Sequence, residues 1–266
     1  MKIENIIANW PKLFLEALTE KRDNNLIKIL SSANKYWWLA YNIYDDILDG
    51  DSDAFQLPIA NNYFIKFISS YYKLNLPKQF YQIFEKTITN VEKANKLELK
   101  QQKLKFNDGK IIIPQILPGF TDLKMLSKKS LALSLGPIAI AYYLNLGQRK
   151  VNLCIEFFKN FLAAKQLSDD AHDWLEDLQS GKITAANSLI LKEARTNKIV
   201  LDLNNQQSLF KLFLKINSTT GKNVIKLCKQ ANKLALRIGL QKNCKFLNIT
   251  IIPIQNAANR ALKINN

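Results

Sequence analysis

A chain of 266 residues with 47% hydrophobic and 23% charged residues can bury a substantial core and is too apolar to be disordered. With only 8 glycines and 7 prolines it lacks the breakers that many short strands require, so long helices are expected. The formal charge of +16 brings nucleic acid, an anionic lipid surface and an anionic substrate into view as partners. The basic residues are nearly all Lys, however, and no pattern of base-reading residues accompanies them, so nucleic acid is not expected.

In chain order, periodic apolar positions predict a helix over residues 12–21 and a longer one over 25–49 that stops at Gly50. Pro58 and Pro77 each suit the opening of a helix, and the second of these becomes charged and frayed through residues 92–110. Residues 109–120, GKIIIPQILPGF, read as an irregular connection because of Pro114, Pro118 and Gly119. The stretch SLALSLGPIAIAYYLNLG, 130–147, is free of charge. Its Ser134, Gly136-Pro137 and Asn145 favour a buried helix at the centre of a bundle over a membrane span, capped by Asp122 or Ser127. A long amphipathic helix is predicted over 150–179, ending near Gly181. Two more follow at 205–217 and 221–240, broken around NSTTG, then a last one over 243–263 kinked at Pro253.

No linker rich in Gly, Ser or Pro divides this series, so the expectation is a single all-α domain over residues 1–266. Cys154, Cys228 and Cys244 show neither short-range pairing nor metal-ligand spacing, and the N-terminal MKIENIIANWPKLF lacks the apolar core of a leader. A reducing, cytoplasmic setting is therefore expected, with peripheral membrane contact and a homodimer both left open.

Two stretches concentrate acid. YNIYDDILDGDSD, residues 41–53, places five aspartates within nine positions, and QLSDDAHDWLEDLQSGK, 166–182, repeats the pattern. On a helix, Asp45 and Asp49 share a face with Asp46 beside them, while Asp169, Asp173 and Asp177 form a row flanked by Asp170 and Glu176. Like charges at that spacing repel unless lysines, water or hard divalent ions lie among them. One such cluster suits a solvated helix end. Two clusters interrupting apolar helices argue for metal, and magnesium prefers carboxylate oxygen and bridges to phosphates. His172 is the only histidine, which argues against an HD-type phosphohydrolase, a ferritin-like site, a zinc protease and a Ser-His-Asp triad. No Gly-rich phosphate loop is present.

DDILD at 45–49 and QLSDDAHDWLED at 166–177 resemble the two aspartate-rich motifs of class I isoprenoid synthases, the all-α enzymes that include polyprenyl diphosphate synthases, squalene and phytoene synthases and class I terpene cyclases. Lys129-Ser130 is similar to the Lys-Thr of the polyprenyl branch, and Gly181-Lys182 to its Gly-Lys. The DxxED string at 173–177 and the Tyr41 to Asp49 block are similar to the squalene and phytoene branch. Departures are the absence of a Gly-Gly-Lys-Arg near the N-terminus and of an Arg-Arg pair after the first motif, and ITAAN in place of Tyr-Leu-Pro after the second.

The resemblance implies a single helical bundle with a central apolar cavity and a Mg2+-dependent prenyltransferase acting on a prenyl diphosphate. It implies metal binding by Asp45, Asp46, Asp49, Asp169, Asp170, Asp173 and Asp177, and substrate binding by Lys129, Lys165, Gln166, Lys182 and Tyr41. Metal and lysines would stabilise the departing diphosphate, leaving an allylic cation for a carbon-carbon double bond to attack. Trp37, Trp38, Tyr41 and Tyr44 precede the first cluster, and Phe158, Phe161 and Leu162 the second. Aromatic faces can stabilise a cation, although each of these positions also suits plain core. The resemblance leaves the branch open: a terpene cyclase, a head-to-head synthase and a non-catalytic relative that binds a lipid diphosphate are the alternatives.

Overall fold

The computed structural model describes residues 3–100, 103–120 and 122–264. Its elements are α1 (Ile3–Ala8), α2 (Trp10–Leu18), α3 (Asn24–Asp49), α4 (Leu57–Tyr72), α5 (Lys78–Lys100), β1 (Lys105–Asn107), β2 (Lys110–Ile112), α6 (Leu135–Tyr143), α7 (Gln148–His172), α8 (Trp174–Gln179), α9 (Ala185–Thr196), α10 (Gln206–Ile238) and α11 (Lys245–Ile264). The all-α class expected from the sequence is observed, with one small hairpin added. Of the charged stretch expected to fray, Gln101 and Gln102 lie outside the described residues.

Local chemistry sets the boundaries of α3. The Asp23 side chain accepts the Leu26 N–H at 2.9 Å, and Gly50, at φ 88°, ends the helix in the left-handed region. Pro58 falls in the first turn of α4, and Pro77 immediately precedes α5.

Four expectations are corrected. Residues 110–112 are not irregular: Asp108 and Gly109, at φ 48° and 76°, form the turn that pairs β1 with β2. The apolar stretch 130–147 is shorter than expected, a 3-10 turn over Leu131–Ser134 leading into α6, and neither Asp122 nor Ser127 caps it. Asp122 accepts the Lys124 N–H, and the Ser127 hydroxyl donates to the Lys124 carbonyl. α9 was not anticipated; Thr184 caps it by accepting the Asn187 N–H at 3.3 Å. The break at NSTTG is absent because Gly221 packs inside α10 against α11. A Cβ there would meet Leu262 at 3.1 Å, so glycine serves close helix approach and not a turn.

The chain forms two compact units. The first holds residues 1–95, 128–158 and 232–249, and the second holds 96–127, 159–231 and 250–266; four of the divisions fall inside α5, α7, α10 and α11 and not in linkers. In the first unit α3 packs along α4, and α2 along α6. Gly136 lets α6 approach closely, since a Cβ would lie 2.9 Å from Pro11 and 3.1 Å from the Asn34 side chain. Aromatic rings fill this core: Phe14 meets Phe246 edge-on at 5.3 Å, and Trp37, Phe67, Tyr71 and Phe84 pack in succession. Leu135 through Ala141 are all buried, as expected of a helix apolar on every side. Among the described residues no helix is long and apolar enough to cross a membrane.

The second unit has its own core, centred on Trp174 stacked on Phe213 at 4.6 Å, with Leu104, Ile111, Leu178, Ile190 and Leu191 around them.

Candidate functional site

In the first unit the aspartates lie on the last turns of α3. Asp45 is half-exposed, at 39% of its side chain, and its Oδ1 accepts from Lys129 Nζ at 3.2 Å and from the Tyr41 hydroxyl at 3.5 Å. Lys129 is thus the cation that relieves the repulsion of Asp45 and Asp49 at i,i+4 spacing. Asp46 is exposed and Asp49 half-buried. The other two acids of the stretch belong to the turn beyond the helix. Asp53 accepts the Phe55 N–H, and the Asp51 N–H donates to the Asp46 carbonyl at 2.8 Å. Tyr41 stacks on the buried Trp37, ring centroids 5.9 Å apart, while Tyr44 bonds Asn61. Of the four aromatic residues before the first cluster, Trp37 is therefore core, and Tyr41 reaches a carboxylate.

In the second unit the cluster sits where α7 gives way to α8. Asp173 takes non-helical angles at this junction, yet its N–H still reaches the Asp169 carbonyl at 2.9 Å and its own carbonyl accepts the Asp177 N–H at 2.9 Å. The expected row of Asp169, Asp173 and Asp177 therefore survives a break that the sequence did not reveal. Lys165 Nζ lies 2.6 Å from Asp169 Oδ2. Asp173 and His172 are exposed, and Asp177 is half-buried.

Asp170 differs from its neighbours. It is only 5% exposed, its Oδ1 accepts from Gln166 Nε2 at 2.8 Å, and its Oδ2 accepts the Ala185 N–H at 3.1 Å. Burial pushes its carboxyl from 3.8 up to about 6, against the pull of those two hydrogen bonds and with the charges of Asp177 and Asp169 adding to the rise. The carboxylate therefore ties α7 to the first residue of α9, whose N-terminal N–H groups favour an anion. This backbone contact is a site feature that sequence reasoning missed. Thr184, three residues before Asn187, is the sequence signal for it.

Gly181, at φ 79°, turns the chain after α8, and the Lys182 N–H donates to the Asp177 carbonyl at 2.8 Å. A Cβ at Gly181 would approach the Leu104 carbonyl at 3.3 Å, so glycine meets both a conformational and a spatial demand. Lys182 is half-buried, and its carbonyl accepts from Asn187. Phe161 and Leu162, expected before this cluster, are buried.

The structure thus brings Tyr41 and Lys129 to Asp45, Lys165 to Asp169, and Gln166 to Asp170. Among the described residues no three His, Cys, Asp or Glu side chains gather into a group that could hold a metal ion. A cleft of about 740 Å3 opens in the first unit, lined by Asp23, Lys73, Asn75, Tyr142, Tyr143 and Gln148 among others. Its lining is mixed, polar and apolar, and it lies at the other end of α3 from Asp45, about 33 Å along the helix.

No protein-family model matches the sequence, and no curated protein is similar to it. Solved structures are similar in fold. A geranylgeranyl pyrophosphate synthase from Lactobacillus brevis superposes with a TM-score of 0.71 at 13% identity, covering 98% of this chain and 86% of that one. A geranylgeranyl pyrophosphate synthetase from the archaeon Geoglobus acetivorans gives 0.69 at 13% identity, covering 97% and 85%. The apo form of an Arabidopsis medium/long-chain length prenyl pyrophosphate synthase gives 0.67 at 13% identity, covering 99% and 90%. At this identity the likeness establishes the fold.

Proposed function

We propose that this protein is a magnesium-dependent prenyltransferase that ionises an allylic prenyl diphosphate and forms a new carbon-carbon bond, with the aspartate clusters binding diphosphate through magnesium. The observation that carries the reading is that each cluster already holds a lysine of the expected phosphate-binding set on its first carboxylate, Lys129 on Asp45 and Lys165 on Asp169. The prenyl and geranylgeranyl pyrophosphate synthases that share the fold support it.

The donor set suits magnesium, because it is built of carboxylate oxygen. Asp46 and Asp173 are exposed, so Asp45, Asp46 and Asp49 in the first cluster and Asp169, Asp173 and Asp177 in the second would each offer it carboxylate ligands. Asp170 suits it less, since both of its oxygens already face donors. When bound, magnesium supplies Lewis-acid charge that stabilises the leaving diphosphate.

The chain's own groups account for the rest. Lys129, Lys165 and Lys182 bind the diphosphate oxygens and draw off charge as the carbon-oxygen bond breaks and its electron pair leaves with the diphosphate. Lys129 and Lys165 are half-buried and paired at rest, so an arriving diphosphate exchanges one anion for another on a positioned ammonium group. The faces of Tyr41 and Trp38 stabilise the allylic cation without reacting with it. A double bond then attacks the cation, and the proton lost from the adduct passes to the released diphosphate.

Incubation with magnesium and allylic diphosphates of several chain lengths, with and without isopentenyl diphosphate, should release pyrophosphate. Absence of turnover across the whole set contradicts the reading.

One observation favours a second reading. Residues 50–56, GDSDAFQ, carry no cation where the polyprenyl branch has its Arg pair, which favours a reaction of one diphosphate alone, as in a terpene cyclase. Product analysis separates the two, because the cyclase reading requires a hydrocarbon or alcohol product without added isopentenyl diphosphate.

A further inference from the structure

The second unit carries a face that the catalytic reading does not use. β1 pairs antiparallel with β2, and residues 199–203 extend the pair: Ile111 N–H donates to the Leu201 carbonyl at 2.8 Å, Leu203 N–H donates to the Gly109 carbonyl at 2.8 Å, and Lys110 bridges to Asp202. Continuing that register sets Val200 opposite Ile112. Side chains alternate across a strand, so Ile111 and Leu201 point into the core, at 7% and 2% exposed, while Ile112 and Val200 point out. Ile112 is 51% exposed, Val200 67%, and Ile116, just beyond β2, 87%. Three bare aliphatic side chains on so small a plate are costly in water and signal a contact.

Lysine surrounds them. Lys103, Lys105, Lys110 and Lys198 are exposed on the same segments. The acids there are Asp108, in the hairpin turn, and Asp202, whose Oδ1 is occupied by the Asn204 N–H. The imbalance deepens beyond the plate, since residues 203–266 hold 11 Lys and Arg and no Asp or Glu. Aliphatic side chains ringed by ammonium groups match the boundary of an anionic bilayer, where acyl chains receive the first and lipid phosphates the second. Nucleic acid would gain nothing from Ile112, Ile116 and Val200.

We infer that the plate formed by β1, β2 and residues 199–203 docks the protein on an anionic lipid bilayer, with Ile112, Ile116 and Val200 entering the interface and Lys103, Lys105 and Lys198 on the phosphates. The inference stands apart from the enzymatic reading. The plate is tied to the second aspartate cluster by the Leu104 N–H, which donates to the Gly181 carbonyl at 2.9 Å. Docking would therefore hold that cluster beside the membrane, where amphiphilic diphosphates partition.

The test is flotation of the full chain with phosphatidylcholine vesicles containing about one third phosphatidylglycerol, against vesicles of phosphatidylcholine alone. Binding is expected to the anionic vesicles and to weaken as salt rises. The triple variant Ile112→Ser, Ile116→Ser, Val200→Ser should bind roughly tenfold more weakly or worse. The pair Lys105→Gln, Lys198→Asn should lose roughly thirtyfold, about fivefold per lysine; asparagine tolerates the φ of 54° at Lys198. Far-UV circular dichroism confirms that each variant is folded, and turnover of a soluble short-chain diphosphate should not change in either, which separates failure of this inference from failure of the enzymatic one. Three results would overturn it: no binding to the anionic vesicles, triple-variant binding equal to wild type, or substitutions that abolish DNA binding or self-association while vesicle binding stays intact.

Discussion

Asp170→Asn isolates the cost of the buried charge that ties α7 to α9. Asp170 is 5% exposed, and burial lifts its carboxyl from 3.8 to about 6. A rise of about 2 units corresponds to about 3 kcal/mol between the two protonation states. Because the folded-state value lies above the unfolded one, the folded chain holds this proton more tightly. The stabilisation it brings is complete below about pH 3.8 and is lost as pH rises through about 6. Asparagine does not titrate, so any constant cost of the substitution cancels when the two proteins are compared across pH. The stability difference should move in the variant's favour by up to about 3 kcal/mol between roughly pH 4 and pH 7.5. Urea unfolding followed by circular dichroism, with a chelator present to keep the carboxylates free of metal, measures it. A difference that stays flat with pH, or that moves toward the wild type as pH rises, refutes the account of Asp170 as a buried carboxylate held by Gln166 and the Ala185 N–H.

Lys129→Gln and Lys165→Gln break half-exposed pairs, so each should change stability by about 1 kcal/mol or less in chemical unfolding while pyrophosphate affinity by calorimetry falls roughly tenfold. Gly181→Ala forces a side chain into a φ of 79° and against the Leu104 carbonyl, and should lower stability by about 1–2 kcal/mol, seen as an earlier urea midpoint. Burial lifts the Cys154 and Cys228 thiols to about 12, so a thiol reagent at neutral pH should label Cys244 first and the other two only on unfolding; mass spectrometry of the labelled peptides reads the order.

Features bounded by local chemistry were legible in the sequence, and those made by packing were not. Asp23 and Gly50 bracket α3 because a cap and a left-handed glycine act within a few residues. The two acid stretches stood out because carboxylates at helical spacing repel, and in each a lysine occupies a carboxylate. Gly221 reads as a breaker until α11 is known to lie against it, since only the partner helix shows why a side chain is unwanted there. α9 was lost behind ITAAN, although Thr184 and the spaced Ile190, Leu191 and Ala194 carry an ordinary cap and apolar face. Asp170 looked like one more member of an acidic row. Its separate role depends on a backbone N–H fifteen residues away, which no periodicity encodes. The hairpin is obscured by the charged run before it and by Pro114 and Pro118 after it, while Asp108-Gly109 is the signal that reveals it.

The central claim of the proposal is that the two carboxylate clusters, more than a hundred residues apart in the chain, bind diphosphate through magnesium. Calorimetric titration of pyrophosphate, with magnesium and with chelator, into the wild type, Asp46→Asn, Asp173→Asn and the double variant tests it most directly. The account predicts binding that requires magnesium and is weakened when either cluster is altered. Binding that persists without magnesium, or that neither Asp46→Asn nor Asp173→Asn weakens, would contradict it.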